Sequence, residues 1–171
     1  MAAVQFKYVY KIVPEAYHGT KLDVAKKIIS ENKFQHSPYR YGDHPYLGKG
    51  IYFFEAALSR AVKWAKDKVK DGEIGVIKAI INLGSCLDLT NPDNIRLLIR
   101  LKKKLIKEKG LTSVTNAFVI HTCGIIYNVD TVRAPLFKGE REGFHNIELI
   151  ICVRNDKSIM EMSLVYEGVI R

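Results

Sequence analysis

An imidazole, a bare peptide group and a projecting phenol come from two short stretches of the chain. These are Tyr17-His18-Gly19-Thr20 and Tyr46-Leu47-Gly48-Lys49-Gly50-Ile51-Tyr52-Phe53. A strand-ending His18-Gly19 sets the imidazole beside a backbone amide and carbonyl that no β-carbon obstructs. Such a pair can hold a ribose hydroxyl and a carboxamide side by side. Gly48-Lys49-Gly50 lets the chain bend sharply before a strand that projects Tyr52. Taken singly, His18 is equally an ordinary hydrogen-bonded histidine, and Gly-x-Gly an ordinary turn.

Periodicity supplies the elements that must position these residues. Phe6–Val13 alternates as a strand that Pro14 ends. Thr20 then caps a helix, with Asp23 three residues on and Leu22, Ala25, Ile28 and Ile29 on one face. Residues 35–50 form a loop rich in Pro, Gly, Tyr and His, and Ile51–Phe54 is a short strand. Ala57, Ala61, Trp64 and Ala65 mark a second, core-facing helix that ends near Lys70-Asp71-Gly72. Ile74–Leu83 and Leu87–Leu89 read as strands. Pro92-Asp93-Asn94 starts a helix that Gly110 closes. Beyond it, Phe118–His121, Tyr127–Val132, Ile147–Val153 and Met162–Val169 read as strands. Three helices, placed early, among six or seven strands, placed late, make the fold α+β, without regular βαβ alternation.

The chain has 171 residues, with 27 Lys and Arg against 18 Asp and Glu, a formal charge of +9. That length, with no linker or repeat, is expected to form one domain over residues 1–171. An apolar fraction of 47% with 26% charged residues excludes disorder as the main state. Cys86, Cys123 and Cys152 are too few and too scattered for a disulfide framework or a zinc site, and no metal is expected. Gly48-Lys49-Gly50 lacks the frame of a nucleotide-binding Walker loop. No apolar run reaches membrane-spanning length, and Lys7 and Lys11 stand where a signal peptide needs its apolar centre. The expectation is a soluble cytoplasmic protein.

Most of the charge sits in one helix. From Arg96 to Lys109 seven basic residues face one acid, a net of +6. Arg96, Arg100, Lys103 and Lys107 share one face, and Leu98, Leu101 and Leu105 the other. This is either a solvated outer face or a docking surface for phosphates or an acidic partner. Membrane-surface binding is weaker, because the apolar face lacks aromatic anchors.

In order and spacing, the motifs resemble the catalytic domain of the poly(ADP-ribose) polymerase-like ADP-ribosyltransferases. That family has a His-Gly-Ser/Thr strand end, a Gly-x-Gly-Ile-Tyr-Phe segment some thirty residues later, a small-residue helix, and a Glu on a late strand. The counterparts are His18-Gly19-Thr20, Gly48-Lys49-Gly50-Ile51-Tyr52-Phe53, the stretch Ser59–Ala65, and Glu148 in the run Asn146–Val153. The resemblance spans about residues 10–160 and looks most like compact single-domain bacterial or phage-type members. It implies a split β-sheet core with flanking helices and NAD as substrate. It also implies cleavage of the nicotinamide–ribose bond, with transfer of ADP-ribose to a protein or nucleic acid, as in a toxin or defence effector.

The resemblance also implies roles for individual residues. His18 would bond the nicotinamide-ribose 2′-hydroxyl, and the Gly19 backbone would take the carboxamide, with Thr20 completing the motif. Tyr52 would stack on the nicotinamide. Trp64 falls, with a one-residue gap, where the family places a second tyrosine and would cover the other face; on periodicity alone it is a core residue. Arg40 and Lys49 would meet the pyrophosphate, Tyr41 or Tyr46 would cover the adenine, and Gly50 would shape the turn. Glu148 would stabilise the oxocarbenium-like state and polarise the nucleophile. Leu149 stands where the family has tyrosine, and Glu140 or Glu142 on the preceding loop are alternative carboxylates. Asp130 and Arg133 near that loop would equally form a structural ion pair. Competing activities are NAD hydrolysis, a non-catalytic NAD- or ADP-ribose-binding module, and a nucleic-acid-binding domain using the basic helix. An acidic neutralising protein is a further candidate partner.

Overall fold

The computed structural model describes residues 11–34, 46–110, 114–141 and 144–170, with side chains described for all of these except 109, 137–141 and 144–146. Strand β1 (Ile12–Lys21) carries the His18-Gly19 pair. It runs through Pro14, contrary to the expectation that this residue ends it. Its pairing shifts register between Val13 and Ala16, and a bulge is where a sheet tolerates a residue without an N–H. The part of the expected first strand before residue 11 lies outside the described residues.

Because β1 continues to Lys21, Thr20 is a strand residue and not the expected helix cap. Helix α1 (Leu22–Glu31) starts from Lys21 without a side-chain cap and buries Leu22, Ala25 and Ile28. Strand β2 (Ile51–Glu55), helix α2 (Leu58–Val69), strand β3 (Gly72–Asn82) and strand β4 (Cys86–Asp88) follow close to their expected places. Helix α3 (Pro92–Lys109) is capped as its sequence demands. Asn91 accepts from the Asp93 N–H at 2.9 Å, and Gly110 leaves the helix at φ 60°.

The second half differs most from expectation. Phe118–His121 belongs to a helix, α4 (Asn116–Ile126), whose Thr115 cap accepts from the Phe118 N–H at 3.2 Å. This helix is buried on two sides: Val119 packs with Leu105 of α3, while Ile120 and Cys123 join the core of the sheet. Burial on two sides removes the polar face whose period would mark a helix. Tyr127 caps α4, so the next strand, β5 (Thr131–Arg141), starts later than expected. Strands β6 (Phe144–Val153) and β7 (Ile159–Ile170) complete the fold. Among the described residues there are thus four α-helices, not three.

The seven strands form one mixed sheet in the order β4-β5-β6-β2-β1-β3-β7, with only β4 and β5 parallel. One face is packed by α1, around Phe34, Phe53, Ile77 and Ile151. The other is packed by α2 and α4, around Tyr17, Phe54, Ala61, Ile120 and Cys152. The architecture is α+β with a split at its centre: β1 and β2 pair only at Ala16↔Glu55 and Tyr17↔Phe54. Among the described residues, no helix is long and apolar enough to cross a membrane.

Candidate active site

The split creates the site. The Ala56 N–H donates to Glu15 O at 2.8 Å, so the peptide group of Glu15 faces β2. Strand alternation turns the groups of Tyr17 and Gly19 the same way. At Gly19 the β2 ladder has ended, while the opposite edge of β1 still pairs Gly19 with Val76. The Gly19 N–H and C=O therefore face a notch between diverging strands.

His18 fills the start of that notch. Its Nδ1 donates to Tyr52 O at 2.8 Å, the carbonyl that a continuing ladder would present to Gly19. A carbonyl only accepts, so Nδ1 carries the proton and Nε2 is an acceptor. Phe34 and Phe53 hold the ring, with centroids 5.2 Å and 5.7 Å away. Burial pushes the His18 pKa down, against the smaller upward pull of the Tyr52 carbonyl, so the imidazole is neutral at pH 7.

Gly19 has a second role. A β-carbon there would lie 2.1 Å from Ala61 O and 3.1 Å from Ala65 Cβ. Helix α2 approaches β1 this closely because Ala61 and Ala65 are small, fully buried residues. Thr20 pairs with Gly75 of β3. Gly50 lies against β6, where a β-carbon would sit 2.5 Å from Cys152 Sγ. The Tyr52 hydroxyl donates to Gly48 O at 2.6 Å and accepts from the Leu47 N–H at 2.9 Å. It ties the glycine turn to β2, and burial raises its pKa.

Glu148 and Trp64 lie along the same wall. On β6, Glu148 is four residues from Cys152, the partner of Tyr52, and so about 13 Å along the strand. Its Oε2 is 2.8 Å from Arg60 Nε on α2, in side chains only 16% and 10% exposed. The Arg60 guanidinium lies 5.5 Å from the Phe54 ring centroid, and Trp64, half-exposed, stands edge-on to the same ring at 6.0 Å. Glu55, Ala56, Ala57, Ser59, Arg60 and Glu148 line an open cleft of about 470 Å³ with Ile147 and Leu149. Sequence reasoning missed Arg60. Its only signal is that it stands next to the small-residue stripe of α2 and four residues before Trp64.

Other expected residues fall elsewhere. Lys49 is exposed on the turn. Tyr46 is exposed, and its hydroxyl reaches Pro135 O at 3.4 Å, beside the groove between α3 and α4 and away from His18. Arg40, Tyr41 and Glu142 lie outside the described residues, as does the side chain of Glu140. Asp130 and Arg133 do not pair with each other. Asp130 accepts from the Ser85 N–H at 2.8 Å and from Asn155 Nδ2 at 2.7 Å. Arg133 holds Glu55 through Nε (2.7 Å) and Nη2 (3.1 Å), and reaches Asp88 Oδ2 through Nη1 at 3.1 Å. This buried network braces the end of β2 behind the cleft. The three cysteines are free and buried. Burial pushes Cys86 and Cys152 up to about 12 and Cys123 up to about 11, so none is a ready nucleophile.

On α3, Arg100, Lys103 and Lys107 are exposed, and none of its described basic side chains lines the cleft beside Glu148. Leu105 is buried, while Ile95 and Ile99 remain half-exposed beside the groove.

A family model, the poly(ADP-ribose) polymerase catalytic domain, matches residues 13–151. The match runs from β1 into β6 and includes the notch, the glycine turn, α2 and Glu148. No curated protein matches the chain.

Proposed function

Because the chain belongs to the poly(ADP-ribose) polymerase catalytic-domain family, we propose that it is an NAD-dependent mono-ADP-ribosyltransferase whose reaction centre is the notch between β1 and β2. Family membership supports NAD-dependent ADP-ribosyl transfer as the general activity. The observation that carries the specific reading is the Gly19 peptide edge turned into the notch beside a fixed, neutral His18. That edge offers one donor and one acceptor, the complement of a carboxamide. His18 Nε2 accepts a ribose hydroxyl, Tyr52 and Trp64 supply aromatic faces near the nicotinamide, and Arg40 and Lys49 serve the pyrophosphate, while Tyr46, beside the groove between α3 and α4, is left without a part in it.

In this reading the bond between nicotinamide nitrogen and C1′ breaks with its electron pair leaving on nicotinamide. The ribose becomes oxocarbenium-like, and the Glu148 carboxylate stabilises the developing positive charge. A nucleophile then attacks C1′ and gives up its proton, with Glu148 as the base at hand. Transfer is taken as single because Arg60 is the only cation among the described residues lining the cleft, and it already faces Glu148. A growing chain would bring a further pyrophosphate needing cations of its own.

The acceptor is a protein or nucleic acid, and the exposed basic face of α3 supports an anionic one or an acidic neutralising partner. A toxin or defence effector working in a cytoplasm fits these features, and the three free thiols agree with a reducing compartment. Incubation with labelled NAD and cell lysate tests the proposal. Label on protein or nucleic acid supports transfer, and free nicotinamide with no labelled macromolecule supports hydrolysis instead. The absence of both products overturns the enzymatic reading.

A further inference from the structure

Helices α3 and α4 leave an apolar groove between them. It measures about 270 Å³ and is lined by Ile95, Leu98 and Ile99 of α3, Val119 and Ile120 of α4, and Pro135 of β5. Lys102 Nζ donates to Asn116 Oδ1 at 3.0 Å and joins the two helices at the end away from Ile95. Ile95 and Ile99 are 42% and 49% exposed. Two branched aliphatic side chains half in water on successive turns make a stripe that gains by being covered.

The charge beside the groove is one-sided. At about 100° per residue, Ile95, Ile99 and Lys102 share one arc of α3. Arg96, Arg100, Lys103 and Lys107 hold the arc next to it, on the side away from buried Leu105. Arg96 is paired with Asp93, and Lys104 with Glu108. Arg100, Lys103 and Lys107 have no acidic partner among the described residues, and they extend about 10 Å along the helix. An aliphatic floor with a cationic border selects its occupant. Nucleic acid on such a border seeks aromatic planes for its bases, whereas Ile95, Ile99, Val119 and Ile120 are aliphatic. A membrane surface is met by apolar side chains that protrude, and these line a concavity. A helix laid along the groove fills it with apolar residues at i, i+3, i+4 and i+7 and sets one flank over the three free cations. That flank must be acidic.

We propose that the groove between α3 and α4 is a docking site for an amphipathic helix of a partner protein, with its apolar face on Ile95 and Ile99 and an acidic flank on Arg100, Lys103 and Lys107. This rests on the acidic partner of the proposed function and gives that partner a shape and a place. Apolar burial holds the docked helix, while the charges at the rim speed encounter, set its direction and make binding salt-dependent. None of these residues lines the cleft beside Glu148, so docking and NAD chemistry are read separately.

The test titrates the full chain by calorimetry with a synthetic helical peptide of about four turns, carrying leucine at i, i+3, i+4 and i+7 and glutamate along one flank. Two controls hold the same residues in scrambled order, or lysine in place of glutamate. The glutamate peptide is expected to bind at least tenfold tighter than either control, and more weakly as salt is raised. Ile99→Asp, which puts a charge into the apolar floor, and Arg100→Glu with Lys103→Glu, which reverses the border, should each weaken it at least tenfold. Should circular dichroism show that Ile99→Asp does not fold, Ile95→Asp takes its place. No binding of the glutamate peptide, equal binding of the scrambled one, or full binding by the folded Asp variant overturns the docking site. An RNA oligonucleotide that binds more tightly than the peptide, and is kept by the Asp variant, makes the border a nucleic-acid surface and overturns it too. An unaltered protein that binds the peptide but consumes no NAD fails the transferase reading and leaves the docking site standing.

Discussion

Replacing Gly19 by alanine tests whether helix α2 and the notch are held as one unit. The new β-carbon would stand 2.1 Å from Ala61 O and 2.9 Å from Ala61 C. Both are backbone atoms, so no side-chain rotation relieves the clash. Restoring an ordinary contact of 3.4 Å requires α2 and β1 to part by about 1.3 Å. Overpacking of this kind costs about 1–3 kcal/mol, which for a chain of this size lowers Tm by roughly 2–12 °C. The same shift carries Arg60 and Trp64 away from Glu148 and the Gly19 peptide edge. A displacement of about 1 Å at a reaction centre costs on the order of 100-fold in rate. Thermal unfolding and NAD turnover, measured side by side, read both effects. Ala65→Gly would relieve only the 3.1 Å contact and should not restore Gly19→Ala. A Gly19→Ala protein with unchanged Tm and unchanged turnover would refute the close approach of α2 and the role given to it.

Two further outcomes follow from the buried charges. The depressed pKa of His18 means that the unfolded chain binds its proton more readily. Stability from this group is therefore complete above about pH 6.5 and declines as pH falls towards the folded value. Tm measured from pH 8 to 5 should fall, and His18→Asn should flatten that slope; an unchanged slope contradicts the burial. Arg133→Met would leave Glu55 and Asp88 without their guanidinium, at a cost of about 3–5 kcal/mol. Chemical denaturation should show that loss, and a midpoint equal to the parent's would mean that the network is not holding β2.

Where one physical signal dominated, the sequence was readable. The 3–3–1 spacing of Leu22, Ala25, Ile28 and Ile29, and Pro92 with the closing Gly110, mark α1 and α3, because one face of each helix meets water. Helix α4 was hidden because Val119, Ile120, Cys123 and Gly124 are buried on more than one side. Pro14 misled for a different reason: it sits at a register shift, which no property of a single strand announces.

The candidate site was legible only in part. His18-Gly19 and the glycine turn stand out by residue type. That Gly19 must be bare because α2 touches it depends on packing between segments some forty residues apart. Arg60 reads as a solvated helix residue until Glu148 arrives from a strand near the other end of the chain. The pairing of Arg133 with Glu55 and Asp88, and not with Asp130, is likewise set by strand register, since Asp88 and Arg133 are partners across β4 and β5.

The most direct measurement follows nicotinamide release and macromolecular labelling from labelled NAD by the unaltered protein and by Glu148→Gln, with NAD binding measured by calorimetry on both. The account predicts transfer by the parent and a drop of about 10²–10³-fold in the variant, with NAD binding largely retained. Full activity in Glu148→Gln would move the catalytic carboxylate to Glu140 or Glu142. A parent protein that neither releases nicotinamide nor labels any macromolecule would contradict the account at its centre.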